Sequence, residues 1–328
     1  MRVVSTISLG YNSVYLVERE GERVLIDAGP DFEGGWPLLS DALAGRRPDS
    51  VVITHGHLDH AGLGARWKRE RVPISMGAGD VHLASGPALA TDAEWTVLVQ
   101  FVEECGAPVD VARGAIEGLS QRRQWALQAA SDSSYRPAGR DGRWPTGLRY
   151  EPFDGIRTVE DGELIGADLR ALECPGHTPG NLVLVDEHEG WLFSGDQLLP
   201  AITPTPAIQV DVAGEHPTRF RSLPAFLASL QRLRAMEFER CYPGHGDPFE
   251  DVRAVIDANL AQIDQRGERM LHLLRARPRT TYELAEALYP RALVRRFWQI
   301  IATVQGQLDV LEDRGQITRA GLDWELRG

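Results

Sequence analysis

Thr54-His55-Gly56-His57-Leu58-Asp59-His60 constrains this chain more than any other stretch, because it sets four metal-competent side chains within six positions. Asp49-Ser50-Val51-Val52-Ile53 leads directly into it, and that β-branched run reads as a buried strand. The local architecture is therefore a strand with a loop at its C-terminal end. His55 and His57 stand two residues apart and point the same way off an extended backbone, while Asp59 and His60 follow once the chain turns. Imidazole nitrogens with one carboxylate suit zinc and neighbouring borderline metals. With 9 His in 328 residues, such a pattern arises by chance in roughly one chain of this kind in two thousand.

Three further candidates stand just past apolar runs and beside Gly or Pro. His177 lies in Cys174-Pro175-Gly176-His177-Thr178-Pro179-Gly180, after an expected strand from Leu169 to Leu172. Asp196 ends Phe193-Ser194-Gly195-Asp196, after Trp191 to Phe193, and His245 lies in Cys241-Tyr242-Pro243-Gly244-His245-Gly246. A stiff strand delivers each side chain to a common sheet edge, where glycine lets the backbone approach closely. Ligand sites in α/β sheets gather at such edges. Cys174 and Cys241 precede ligand histidines and read as buried strand-end packing, and Thr178 reads as ordering its turn. His82, His188, His216 and His272 have no partner pattern.

The remaining sequence organises around these edges. Val14 to Val17 and Val24 to Ile26 flank a hairpin turn at Glu20-Gly21-Glu22, and Asp27-Ala28-Gly29-Pro30 breaks the sheet. A short helix is expected over Pro37 to Leu43. From Thr91 to about Gln128 the period becomes helical, with Trp95, Leu98, Val99 and Val102 and then Ala112, Ala115, Ile116 and Leu119 on apolar faces. This stretch, within an insertion at about 88–145, is read as a lid whose Trp95, Phe101 and Trp125 wall an apolar pocket. Arg122, Arg123, Arg140 and Arg143 are read either as meeting a substrate carboxylate or phosphate, Arg122 foremost, or as a solvated arginine face. Ser131 to Pro145 reads as a mobile loop. Pro224 to Leu233 is amphipathic. Past Asp264, helices over Gly267 to Ala276, from Thr280-Thr281-Tyr282-Glu283, and over Trp298 to Arg314 precede a hairpin within Gln316 to Leu326. Helix, helix, helix and β-wing is the pattern of a winged-helix module, so domains are expected at 1–263 and 264–328.

Charge bears on the partner. A net charge of -12 argues against a general nucleic-acid binder. Residues 264–328 carry 11 Arg and 9 Asp+Glu, a net of +2, too weak to claim DNA binding. The N-terminus enters a strand pattern at once without an apolar signal core, and no long apolar run suggests a membrane span. Three Cys, an odd and sparse count, fit a reducing cytoplasm.

The chain resembles the metallo-β-lactamase-fold superfamily, whose signature is His-x-His-x-Asp-His followed by a His, an Asp and a final His at strand ends. The likeness covers roughly residues 1–263 and all seven positions are filled. It implies a four-layer αβ/βα sandwich, with the tail similar to the winged-helix extension on the branch of glyoxalase II and small β-lactamase-like ribonucleases. By that resemblance His55, His57 and His177 hold one metal, Asp59, His60 and His245 hold a second, and Asp196 bridges them with a hydroxide. Zinc leads as the metal, with iron or manganese as alternatives. Two divalent ions about 3.5–4 Å apart make water nucleophilic near neutral pH, and Asp59 would pass the proton to the leaving group.

Departures within the superfamily narrow the activity. A class B β-lactamase usually has Cys where Asp196 stands, and flavodiiron proteins have an acid where His57 stands. The 49 residues from Asp196 to His245 are too few for the domain that large RNA-processing members insert there. The leading expectation is a hydrolase of an ester-like acyl bond in a small molecule: thioester, lactone or ester. A nuclease or phosphodiesterase acting on nucleic acid is the alternative, and a binding protein with a vestigial metal site is a third.

Overall fold

Successive side chains from Val14 to Val17 are buried on alternate faces of their strand, which shows how one sheet comes to have two covered faces. The computed structural model describes residues 2–86, 91–132, 147–200 and 207–327. Strands β1 (Arg2–Leu9), β2 (Asn12–Arg19), β3 (Glu22–Ile26), β4 (Ser50–Ile53), β5 (Ile74–Gly77) and β6 (Arg157–Val159) form a six-stranded sheet in that order. β1 to β3 run antiparallel, and β3 to β6 run parallel. On β2, Val14 and Leu16 join an apolar cluster with Leu25, Val51, Ile53 and Ile74, whereas Tyr15 and Val17 join another with Val24, Ile26 and Val52. The period of two sends neighbours to opposite faces. Leu39 and Leu43 of α1 (Gly35–Leu43), Ala61 of α2 (Leu58–Ala61), Trp67 of α3 (Gly64–Arg69) and Ala84 of α4 (Val81–Ser85) cover the first face.

A second sheet covers the other face. Its order is β13 (Arg240–Pro243), β10 (Trp191–Gly195), β9 (Leu182–Asp186), β8 (Leu169–Glu173) and β7 (Leu164–Ile165), with only β10 and β13 parallel. Leu169, Ala171, Leu182, Leu184, Phe193 and Tyr242 supply its inner side. Each fully buried aliphatic or phenylalanine here contributes about 1.5–3 kcal/mol. Leu172, Val183, Val185 and Leu192, one step out of phase, are buried on the opposite side. Helices, sheet and sheet account for three of the four expected layers.

The described chain divides into two units. Both large sheets belong to the first, made of Met1–Ala88, Trp125–Pro204 and Met236–Val255. The second comprises Leu89–Gln124, Thr205–Ala235 and Ile256–Gly328. Its elements are α5 (Asp92–Glu104), most of α6 (Val109–Asp132), the short pair β11 (Val210–Asp211) and β12 (Thr218–Arg219), α7 (Ser222–Arg234) and most of α8 (Val252–Ala276). α9 (Thr281–Leu288), α10 (Pro290–Leu293) and α11 (Phe297–Asp313) follow. The sheet β14-β16-β15 completes it, from Arg279–Thr280, Asp323–Leu326 and Ile317–Ala320.

The position expected as the domain boundary, 263/264, falls inside α8. The physical reason is a shared core: Phe101 of α5 and Cys105 just past its end are buried in one cluster with Met270, Leu284, Leu308 and Trp324. Thr91 and Thr280 start α5 and α9 with reciprocal capping boxes to Glu94 and Glu283. Asp309, buried on α11, receives both arms of Arg219 at 2.7 Å. Of the expected loop Ser131 to Pro145, Ser131 and Asp132 end α6, and 133–146 lie outside the described residues. Among the described residues no helix is long and apolar enough to cross a membrane.

Candidate metal centre

Strand ends bring the seven predicted donors to one place in the first unit. β4 ends at Ile53, and the chain leaves it through His55 and His57 before α2 presents Asp59 and His60. β8 leads to His177, β10 ends at Gly195 beside Asp196, and β13 ends at Pro243 before His245. Donor atoms fall into three overlapping groups, His55/His57/His177, His55/His60/Asp196 and Asp59/His60/His245, each within 4.8 Å. Gly244 allows the last strand end to come close, since a Cβ there would stand 2.6 Å from both Asp196 Oδ1 and His60 Cε1.

The first group fits a cation. His57 Nδ1 lies 3.1 Å from His55 Nε2 and 3.1 Å from His177 Nε2, with the rings edge-on. Ligands on a tetrahedral ion with metal–nitrogen bonds of about 2.0–2.1 Å stand roughly 3.3 Å apart. Three imidazole nitrogens this close suit an ion better than a hydrogen-bond chain, because His57 Nδ1 offers either one proton or one lone pair and cannot satisfy both neighbours. In the other group His245 Nε2 is 3.4 Å from Asp59 Oδ2, and His60 Nε2 is 3.8 Å from it. Asp196 faces both groups. Its Oδ2 lies 3.2 Å from His245 Nε2 and 3.6 Å from His177 Nε2, and its Oδ1 lies 3.4 Å from His60 Nε2.

Neighbours set the charge of several donors. Burial lowers His55 well below the usual imidazole range, and nearby His60 and His177 add to it. Burial likewise lowers His177 to about 3. For His60, burial works against protonation but Asp27, Asp196 and Asp59 outweigh it and raise the ring well above its usual range. His245 is raised to about 9: burial opposes the charge, and hydrogen bonds to Asp196 and Asp59 overcome it. Asp59 and Asp196 are held well below the carboxylate range, since His60 and His245 outweigh the cost of burying them.

Residues without a motif hold the donors in place. Asp27 Oδ2 accepts from His60 Nδ1 at 2.7 Å, and its two oxygens accept from Thr54 N at 2.7 Å and Thr54 Oγ1 at 3.1 Å. The contact to His60 fixes which nitrogen that ring offers the centre. Asn12 Nδ2 reaches to 3.4 Å from Asp59 Oδ2 and 3.3 Å from His60 Nε2. Tyr11 stacks on His245 at 4.3 Å, and its carbonyl lies 3.2 Å from His245 Nδ1. The first hairpin thus reaches the centre. Sequence reading passes over Asp27, although it is an acid at an apolar strand end, the same signal that marks Asp196. Cys174 and Cys241 are buried and belong to none of the three donor groups, and Cys241 Sγ donates to Ser194 Oγ at 3.3 Å.

Of the expected pocket residues, Trp95, Phe101 and Arg122 belong to the second unit. Phe101, expected on a pocket wall, is enclosed in the core of the second unit, so packing accounts for it. Trp95 packs beside Leu98, Leu119 and Val210, and Arg123 lies over its ring while pairing with Asp92. Arg122 is exposed on α6 and lines a cleft within the second unit. The Trp125 side chain, Arg140 and Arg143 lie outside the described residues.

The sequence pattern of the metallo-beta-lactamase superfamily matches residues 7–245. The chain belongs to that superfamily. Within it, the probable metallo-hydrolase YqjP of Bacillus subtilis is 27% identical over 323 residues, covering 97% of this chain and 93% of that protein. Atrochrysone carboxyl ACP thioesterase AgnL7 of Paecilomyces divaricatus is 31% identical over 126 residues, 38% of this chain and 36% of that protein. A metallo-beta-lactamase family protein of Thermus thermophilus superposes with a TM-score of 0.71 over 99% of this chain and 98% of that one, at 23% identity. That likeness is one of fold. Superfamily membership and the assembled donors make the protein a metal-dependent hydrolase.

Proposed function

We propose that the protein is a dinuclear hydrolase that cleaves an ester-like acyl bond: a thioester, lactone or ester. The observation that carries this reading is the convergence of seven donors into two groups that share Asp196. His55, His57 and His177 would hold one ion, zinc first, Asp59, His60 and His245 the other, and Asp196 would touch both. When bound, such a pair lowers the pKa of a shared water toward about 7, so that hydroxide is present at neutral pH. Asp59 is ionised, and its side chain is 20% exposed against 11% for Asp196. It can therefore take a proton from the nucleophile and deliver it to a leaving group arriving from outside.

An acyl substrate agrees with the net charge of -12, which repels polyanions, and with the thioesterase activity named for AgnL7. The test is a panel of thioesters, lactones, esters and phosphodiesters given to the metal-loaded protein. Turnover of an acyl bond is expected; turnover confined to phosphodiesters would overturn the reading.

One observation favours a nuclease or phosphodiesterase instead. Arg122, Arg295 and Arg296 line a cleft of about 490 Å³ in the second unit with Tyr282, Phe297 and Trp298. Cations beside aromatic rings suit phosphates and bases. The helices α9 to α11 and their three-stranded sheet are also consistent with the expected winged helix. RNA cleavage that falls steeply with added salt would support this alternative.

A further inference from the structure

Asp80 belongs to neither metal group, yet it is completely buried between the two loops that carry His55, His57 and His177. It ends the short turn Ala78–Asp80 after β5. Its Oδ2 accepts from the backbone N–H of Gly56, between the two histidines, at 2.7 Å. The same oxygen accepts from Thr178 Oγ1, the residue after His177, at 2.6 Å, and Oδ1 accepts from Gly180 N–H at 2.7 Å. Three donors from two loops thus converge on two oxygens. Only an acceptor without hydrogens satisfies them, because an asparagine would turn an NH₂ group toward at least one donor.

Backbone packing points to the same clasp independently. A Cβ on Gly77 would stand 1.9 Å from the carbonyl oxygen of Gly180, and one on Gly180 would stand 2.4 Å from Asp80 N. The segment after β5 and the His177 loop are therefore seated backbone on backbone, at a distance no side chain permits. With Gly56 tied to the same carboxylate, the separation of the two histidine loops is set by one residue.

We infer that Asp80 is a positioning residue for the metal: it fixes the spacing of His55 and His57 against His177, and so tunes one ion position rather than both. The inference rests on the metal-centre reading but not on the choice of substrate. Contacts of this kind beyond the ligands change metal affinity by about 10–100-fold.

The test uses metal alone. In an Asp59→Ala background, which cripples the other position, the metal-stripped protein is titrated with Co²⁺ against a competing chelator, and the d–d absorption of the bound ion is recorded. Adding Asp80→Asn should weaken the remaining event about 10–100-fold and alter its spectrum. Leu39→Ala, a core truncation in the same unit, supplies the comparison for general destabilisation and should leave affinity and spectrum as they were. Asp80→Asn with unchanged affinity and spectrum, or with losses no larger than those of Leu39→Ala, overturns the inference. Should Asp80→Asn fail to fold, Thr178→Val removes one of the three bonds; a several-fold loss of Co²⁺ affinity is then expected, and none overturns it.

Discussion

Four of the histidines in the donor groups divide by charge. His55 and His177 are neutral because burial and neighbouring imidazoles disfavour a proton, whereas His60 and His245 hold protons against the carboxylates facing them. A ligand must be deprotonated to bind an ion, so loading the proposed Asp59/His60/His245 position would release protons and strengthen as pH rises toward 9. The metal-free protein behaves oppositely. His245 is raised from 6.5 to about 9, so its contribution is complete below pH 6.5 and is lost as pH climbs through 9. Melting of metal-stripped protein between pH 7.5 and 9.5, where His55 and His177 are neutral in the unfolded chain too, should show stability falling by about 2 kcal/mol from His245, with His60 adding to the fall; a flat or rising profile would refute the charge assignment. Asp27→Asn tests the contact behind His60. Asparagine tolerates the φ of 66° found there, so the change removes charge without backbone strain. A chelator-competition titration should show one ion position weakened about 10–100-fold.

Strands and caps follow from local chemistry, which is why most elements are legible in the sequence. The alternation around Val14 to Val17 and Val24 to Ile26 forms β2 and β3, and Thr280 with Glu283 forms the capping box of α9. Thr280 Oγ1 accepts from Glu283 N at 3.1 Å, while the Glu283 carboxylate accepts from Thr280 N at 3.2 Å. Thr280→Ala should cost about 1 kcal/mol in urea unfolding, with metal content unchanged. What local pattern does not show is the partner of each helix. The apolar face of α5 identifies a buried surface but not what buries it, and it joins the core around Met270 and Leu308. For the same reason the pattern misplaces Phe101 on a pocket wall.

Two units with separate cores bear on how the whole molecule responds to perturbation. All seven donors lie in the first unit, and Leu308 is completely buried in the core of the second. Leu308→Ala should therefore destabilise by about 2–5 kcal/mol while elemental analysis finds the wild-type metal content; metal lost in parallel would show that the units depend on each other. Chelation acts from the other side. An ion at 100 times its dissociation constant stabilises the folded state by about 2.7 kcal/mol, so stripping it should lower the melting temperature, and restoring it should recover the loss.

The amino-acid order alone singled out the candidate donors, because metal chemistry requires particular side chains and the strand-end spacing that delivers them is local. His55, His57, Asp59, His60, His177, Asp196 and His245 can be named before any fold is known. Only the tertiary structure decided which acids support them. Asp27 follows β3 directly, Asp80 ends the turn after β5 and Asp196 follows β10, but what separates a supporting carboxylate from a candidate donor is where strands of two different sheets place it in space. Likewise, the grouping of 92–124 with the C-terminal segment depends on apolar faces that meet across more than 150 residues of chain, as Phe101 meets Met270 and Leu308, and no local periodicity encodes such a meeting.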